Sequence, residues 1–195
     1  RQLTIILPSM NPSSPPPASL LDLLRNPAQR DEGFRQLMKR SGRNLYWHIR
    51  RIVVGREDAE DVLQETCVKV LASLESFRGD EAQLMPWIYR IATRECLQLL
   101  RSRTSIFQSI DSLGDSLTET LRAENQLNAQ TAEMLLQEAL LKLPTTQRIV
   151  FNLRYFDDMS YEQIAAVTGK KVGTLKTNYH FASERVKQYV KDHSQ

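Results

Sequence analysis

Glycine is scarce in this chain of 195 residues, at 7 positions, and cysteine is scarcer, at 2. Few glycines argue against β-rich folds crowded with tight turns, and against Gly-rich loops that cradle nucleotide phosphates. Cys67 and Cys96 lack the paired spacing of a zinc site, and two thiols cannot build a disulfide scaffold. Their scarcity predicts a reducing compartment, hence a cytoplasmic location. Long hydrophobic runs are missing as well. Stretches such as 52–54 fall far short of the ~18–20 apolar residues of a membrane span, so no membrane insertion is expected. There is no Walker loop, no GxSxG and no HExxH, and His48, His180 and His193 have no partner at a useful spacing. The chain reads as a non-enzyme without metal or cofactor.

The formal net charge is only +3, but charge is unevenly placed. Residues 56–65 carry Glu57, Asp58, Glu60, Asp61 and Glu65 against Arg56 alone. Residues 88–103 carry Arg90, Arg94, Arg101 and Arg103 against Glu95. Residues 170–191 carry Lys170, Lys171, Lys176, Arg185, Lys187 and Lys191 against Glu184. Two separated basic segments and one acidic segment suit a polyanion touched twice and a second, basic partner.

The periodicity is helical throughout, with no strand-like alternation and no internal repeat. Residues 1–19 read as a disordered Pro-rich tail, with Met10 as an alternative start. Residues 20–55 read as helical, stopped by Gly55. A helix is expected over 59–74, with Asp58 as N-cap, and another from Pro86. Residues 113–130, with Asp115, Glu119 and Glu124 against Arg122, read as a linker with one transient helix. Helices are expected over 134–143, 145–156, 160–168 and 175–190. The fold class is all-α: two small helical domains, 20–103 and 131–195, on a flexible linker over 104–130.

The sharpest signal is C-terminal. Ser160 and Gln163 form a capping box, Gly169 permits a turn, and a longer basic helix follows. That order is a helix-turn-helix, whose second helix can lie in a DNA major groove. Thr174, Lys176, Thr177 and Asn178 stand near its start, where side chains reach bases, and His180 lies further along as a DNA-facing or solvated residue. Lys171, Arg185 and Lys187 are better placed for phosphates. On the helix from Pro86, Trp87, Arg90, Arg94, Gln98 and Arg101 share a stripe at offsets 0, 3, 7, 11 and 14, suited to backbone contact and stacking on an exposed base. Asp58, Asp61 and Glu65, with Gln64 adjacent, lie along one side of the acidic helix. Helix-dipole stabilisation accounts for acids in a first turn, but Glu65 lies beyond it.

The run 58–65, DAEDVLQE, then Phe77-Arg78-Gly79-Asp80 and the run 87–93, WIYRIAT, resembles region 2 of bacterial extracytoplasmic function (ECF) RNA polymerase sigma factors of the sigma-70 family. Leu143-Pro144, the run 161–165 and the run 173–177 resemble region 4 of the same family. The resemblance implies a subunit that binds core RNA polymerase and selects promoter DNA. Asp58, Asp61, Gln64 and Glu65 would dock on the β′ clamp helices. Phe77, Arg78, Gly79 and Asp80 with Trp87, Arg90, Arg94, Gln98 and Arg101 would recognise and open the −10 element. Lys171, Thr174, Lys176, Thr177, Asn178, His180 and Arg185 would read the −35 element. Region 4 would also meet the β flap, the linker would thread toward the active-site cleft, and an anti-sigma factor is a further expected partner. The chain departs from the family pattern at Arg94, Gln98, Met85-Pro86 and Lys170-Lys171, departures that bear on −10 base preference.

Two other readings stay open on sequence. A polymerase-independent dimeric regulator would bind half-sites about one helical turn apart. A helical interaction module would bind acidic proteins with no dependence on promoters.

Overall fold

The computed structural model describes residues 18–104, 110–124 and 132–193. Most of the expected tail, and Met10, lie outside the described residues. Helix α1 spans Leu20–Arg25 and opens on a capping box between Ser19 and Asp22. Asn26-Pro27 ends it, because proline has no N–H to donate and disfavours helix in the residue before it. The continuous helical stretch expected over 20–55 is therefore two helices, α1 and α2 (Arg30–Val53). Leu37, Leu45, Ile49, Ile52 and Val53 form the buried stripe of α2.

Helix α3 spans Arg56–Ser73, followed by a 3-10 turn over Leu74–Ser76. It starts earlier than expected. Gly55 is its N-cap residue and makes no side-chain cap, so Asp58 is the third helical residue rather than the cap. The capping acceptor comes from elsewhere in the chain: Arg56 N–H donates to Glu124 Oε1 at 3.1 Å. Helix α4 spans Glu81–Thr104, also longer than expected, with Pro86 inside it rather than at its start. A reciprocal pair fixes that start. Gln83 N–H donates to Asp80 Oδ1 at 3.0 Å, and Asp80 N–H donates to Gln83 Oε1 at 3.1 Å. The proline costs α4 one internal hydrogen bond, and the exposed Ala82 can offer its freed carbonyl to water.

Within the segment read as a linker, Ile110–Glu124 forms helix α5. Leu117 and Leu121, four apart, are buried. Arg122 donates to both carboxylate oxygens of Glu138 at 2.7 and 3.1 Å. This ties α5 to α6 (Ala132–Leu141). Helices α7 (Thr145–Tyr155), α8 (Tyr161–Thr168) and α9 (Val172–His193) complete the C-terminal half. Ala139, Leu140, Phe151, Ala182 and Val186 are its own core cluster.

The halves pack on each other, α2 against α7 and α4 against α8. One apolar core runs through both halves, from Ile49 and Ile88 to Val150 and Ile164, and a buried polar group lies within the seam. His48 is fully buried; its Nδ1 donates to Asp157 Oδ2 at 2.9 Å, and its Nε2 pairs with Thr93 Oγ1 at 3.0 Å. Tyr89 donates to Asp157 Oδ1 at 3.4 Å, and burial, then the Asp157 carboxylate, push its hydroxyl well above the ordinary tyrosine value. Arg51 lies over the Phe156 ring, 3.9 Å from its centroid. From α7, the buried Arg148 reaches the C-terminal end of α2, where its Nη2 donates to the Ile52 carbonyl at 3.3 Å. A cation is favoured at that end of the helix dipole. Desolvation nevertheless brings the Arg148 guanidinium down to about 10, against a smaller opposing effect of Cys96.

Candidate nucleic-acid interface

On α3 the structure separates Asp58 from the other acids. Asp61, Gln64 and Glu65 are exposed, at helical offsets that put them side by side. Asp58 is half-buried and engaged, since Arg103 Nη2 donates to its Oδ1 at 2.6 Å. Glu65 lies 3.4 Å from Lys69, which pairs more closely with Glu95 at 2.7 Å. The open acidic face is therefore Asp61, Gln64 and Glu65, with Glu57 and Glu60 exposed nearby.

The loop before α4 is held from behind. Arg25 Nη2 donates to the Gly79 carbonyl at 2.9 Å, and Arg78 Nη1 to the Glu75 carbonyl at 2.6 Å. Phe77 is buried, with its ring centroid 4.7 Å from that of Trp87. A Cβ on Gly79 would meet the Phe77 ring at 2.5 Å, so only glycine lets the loop close over it. Arg78 and Asp80 are the exposed members of the loop, and Asp80 is also the cap of α4. Along α4, Trp87 is half-buried, while Arg90, Arg94, Gln98 and Arg101 are all exposed. Among the described residues none of these three arginines pairs with a carboxylate. Three cations on one face, free of internal counter-charge, suit a polyanion.

In the C-terminal half, Ser160 Oγ accepts from Gln163 N–H at 3.1 Å, and Ser160 N–H donates to Gln163 Oε1 at 2.8 Å, as the capping box requires. Gly169 ends α8 in the left-handed region at φ 72, where a side chain would be strained. Helix α9 begins at Val172, one turn before the expected 175. Its buried line is Leu175, Ala182 and Val186. Lys171, Thr174, Lys176, Thr177, His180 and Arg185 are exposed, and Asn178 is half-buried. Lys176 Nζ lies 5.8 Å from the Tyr161 ring centroid, bringing α8 beside the exposed face of α9.

Three features escaped the sequence reading. Glu124 caps α3 and pairs with Arg50, a link invisible without the fold. Trp47 is 45% exposed, beside a groove of about 810 Å³ lined by Tyr46, Arg50, Arg51, Glu133 and Leu141 among others. Phe181, on α9, is 53% exposed, although a phenylalanine within a helix is more often core. Its spacing of seven from Thr174 was the available signal. Among the described residues no cluster could hold a metal ion, and no helix is long and apolar enough to cross a membrane.

Comparison with known proteins bears on the same two regions. Residues 37–106 match the family model of sigma-70 region 2, and residues 133–186 that of sigma-70, region 4. The chain is 31% identical over 142 residues to the ECF RNA polymerase sigma-E factor of Escherichia coli K12, covering 68% of this chain and 74% of that protein. It is 32% identical over 130 residues to the RNA polymerase sigma factor SigV of Bacillus subtilis, covering 67% and 74%. Among solved structures it resembles the sigma factor RpoE in complex with the anti-sigma factor NepR from Bartonella quintana, with a TM-score of 0.65 at 22% identity over 82% of this chain and 98% of that one. It resembles equally CnrH in complex with the cytosolic domain of CnrY, with a TM-score of 0.65 at 22% identity over 89% and 96%.

Proposed function

The chain belongs to the extracytoplasmic function sigma factors of the sigma-70 family, which bind core RNA polymerase and direct promoter-specific initiation rather than catalysis, and we propose from that premise how its exposed faces divide the work. The observation that carries the reading is that both sigma regions lie on one chain in order, each with an exposed polar face of the right chemistry. The domains are 20–103 and 131–195, joined through 104–130. Asp61, Gln64 and Glu65, with Asp58 once Arg103 releases it, dock on the clamp helices of β′. Arg90, Arg94, Gln98 and Arg101 take the backbone of the −10 element, while Trp87 and the loop 77–80 receive an unstacked base. Unstacking costs a few kcal/mol, so a pocket that rewards the extruded base yields selectivity. Thr174, Lys176, Thr177, Asn178 and His180 read the −35 element, with Lys171 and Arg185 on phosphates, and region 4 also meets the β flap.

An anti-sigma factor is part of this reading, because one solved structure of the same fold, RpoE with NepR, is a sigma factor in complex with an anti-sigma factor. The groove beside Trp47 is the opening such a partner meets in the packed form. The setting is the cytoplasm, with polymerase and promoter DNA as the other partners. The test is run-off transcription with a purified bacterial core polymerase over a genomic promoter library, with and without this chain. New start sites that depend on both promoter elements support the reading. Promoter-independent binding, or duplex binding as a dimer without polymerase, overturns it.

A further inference from the structure

Phe181 is the one large apolar side chain that α9 leaves exposed. Isolated surface aromatics are common, so exposure alone says little. Its register says more. Thr174, Thr177, Asn178 and Phe181 stand at offsets 0, 3, 4 and 7, the set that falls on one face of a helix and that a recognition helix presents to base edges. The buried line, Leu175, Ala182 and Val186, lies about a third of a turn around the helix, so this stripe flanks the packed face, with Thr174, Thr177 and Phe181 exposed and Asn178 half-buried at its edge. The first two members are exposed hydroxyls and the third is a half-buried amide; the fourth has no polar atom.

We infer that Phe181 reads the C5-methyl group of a thymine in the −35 element, and so sets a base preference there. This rests on the −35 role proposed for α9. A phenyl ring cannot donate to a phosphate or accept from a base, and the apolar feature a major groove offers it is the thymine methyl. The neighbouring charges are compatible with that placement. Arg185, four residues on, is exposed for the adjacent backbone, and Glu184 is held by Lys187 at 2.9 Å. Asn178, at the neighbouring position of the stripe, has the amide that suits an adenine edge, so the pair favours an A/T-containing step.

The test uses holoenzyme assembled from the full chain and a bacterial core polymerase. A promoter with a randomised −35 region is first selected for initiation. Each thymidine of the selected −35 element is then replaced singly by deoxyuridine, which pairs identically and lacks only the methyl. Initiation should fall about fourfold at one position, the worth of one buried methyl-sized group, and stay unchanged at the others. Phe181→Ala should initiate less on the thymidine template and no longer distinguish it from deoxyuridine at that position. Because Phe181 is exposed, the variant should keep the wild-type melting curve. Indifference of the wild type to deoxyuridine throughout the element overturns the inference, as does discrimination that survives in Phe181→Ala. Indifference of the wild type to scrambling of the whole −35 region would instead overturn the promoter-reading role beneath it.

Discussion

Truncating Asp157 to alanine should loosen the seam between the two halves without unfolding either. In the intact chain its Oδ2 accepts from His48 Nδ1 at 2.9 Å and its Oδ1 from the Tyr89 hydroxyl at 3.4 Å. His48 has no exposed surface, so the imidazole nitrogen left behind cannot turn to water. Leaving a buried donor unpaired costs about 1–3 kcal/mol. Asp157 also favours the charged form of Arg51, whose guanidinium burial pulls below the ordinary arginine value. Both losses fall on contacts between α2, α4 and the C-terminal half, not on any helix ladder. A change of that size shifts the ratio of packed to separated forms by about 5- to 150-fold. Small-angle scattering reads it directly, since a compact chain of this length has a radius of gyration of about 16 Å. The variant should scatter with a larger radius at unchanged helical circular dichroism. Its melting midpoint should fall by about 2–12 °C, at about 2–4 °C per kcal/mol for a chain of this size. Asp157→Asn keeps an oxygen acceptor for His48 and should recover much of the difference. Identical radius and midpoint in Asp157→Ala and wild type would show that this buried polar group does not hold the seam.

Three further outcomes are expected. Asp61→Arg reverses charge at an exposed site of α3 and should abolish capture by core polymerase in a pull-down while helical content survives; undiminished capture would remove Asp61 from the docking face. Gly169→Ala forces a side chain into the left-handed region at φ 72, with open space around it, so strain alone should cost about 1–2 kcal/mol, read as a lower melting midpoint. Glu138 is held below the usual carboxylate range by the Arg122 hydrogen bonds, against the opposing effect of burial. Its contribution to stability is therefore complete above the unfolded glutamate value of about 4.3 and is lost as pH falls through the lower folded value. Glu138→Gln should flatten that part of the acid-stability curve, and an unchanged curve would refute the assignment.

What could be read from the chain alone was local. The Ser160–Gln163 box, the turn at Gly169 and the arginine line on α4 are written at spacings of three and four, and their geometry follows the pattern. What escaped depends on residues distant in sequence. The start of α3 was misplaced because its capping oxygen belongs to Glu124, 68 residues onward. His48 had no visible partner because Asp157 lies 109 residues away. Helix α5 does carry a stripe of its own, Ile110, Leu113, Leu117 and Leu121 at spacings of three and four, which the reading of this segment as a linker passed over; Leu117 and Leu121 are buried and Glu138 fixes Arg122. Pro86 pointed to a helix start, but the reciprocal Asp80–Gln83 pair began the helix earlier. The burial of Phe77 under Gly79 and against Trp87 is likewise invisible in the spacing of the loop 77–80, because it depends on how the loop closes on α4.

The contact of α4 with α8 has a metric consequence. Sites centred about 25 base pairs apart lie about 85 Å apart along a straight duplex, at about 3.4 Å per pair. A single close-packed body of 195 residues is only about 40 Å across. On the proposed promoter role, a chain that spans both sites at once must stretch like an unclenched hand, which makes the folded-shut shape its resting posture. A ligand that prefers the shut shape would then silence the protein without touching a single DNA-facing residue.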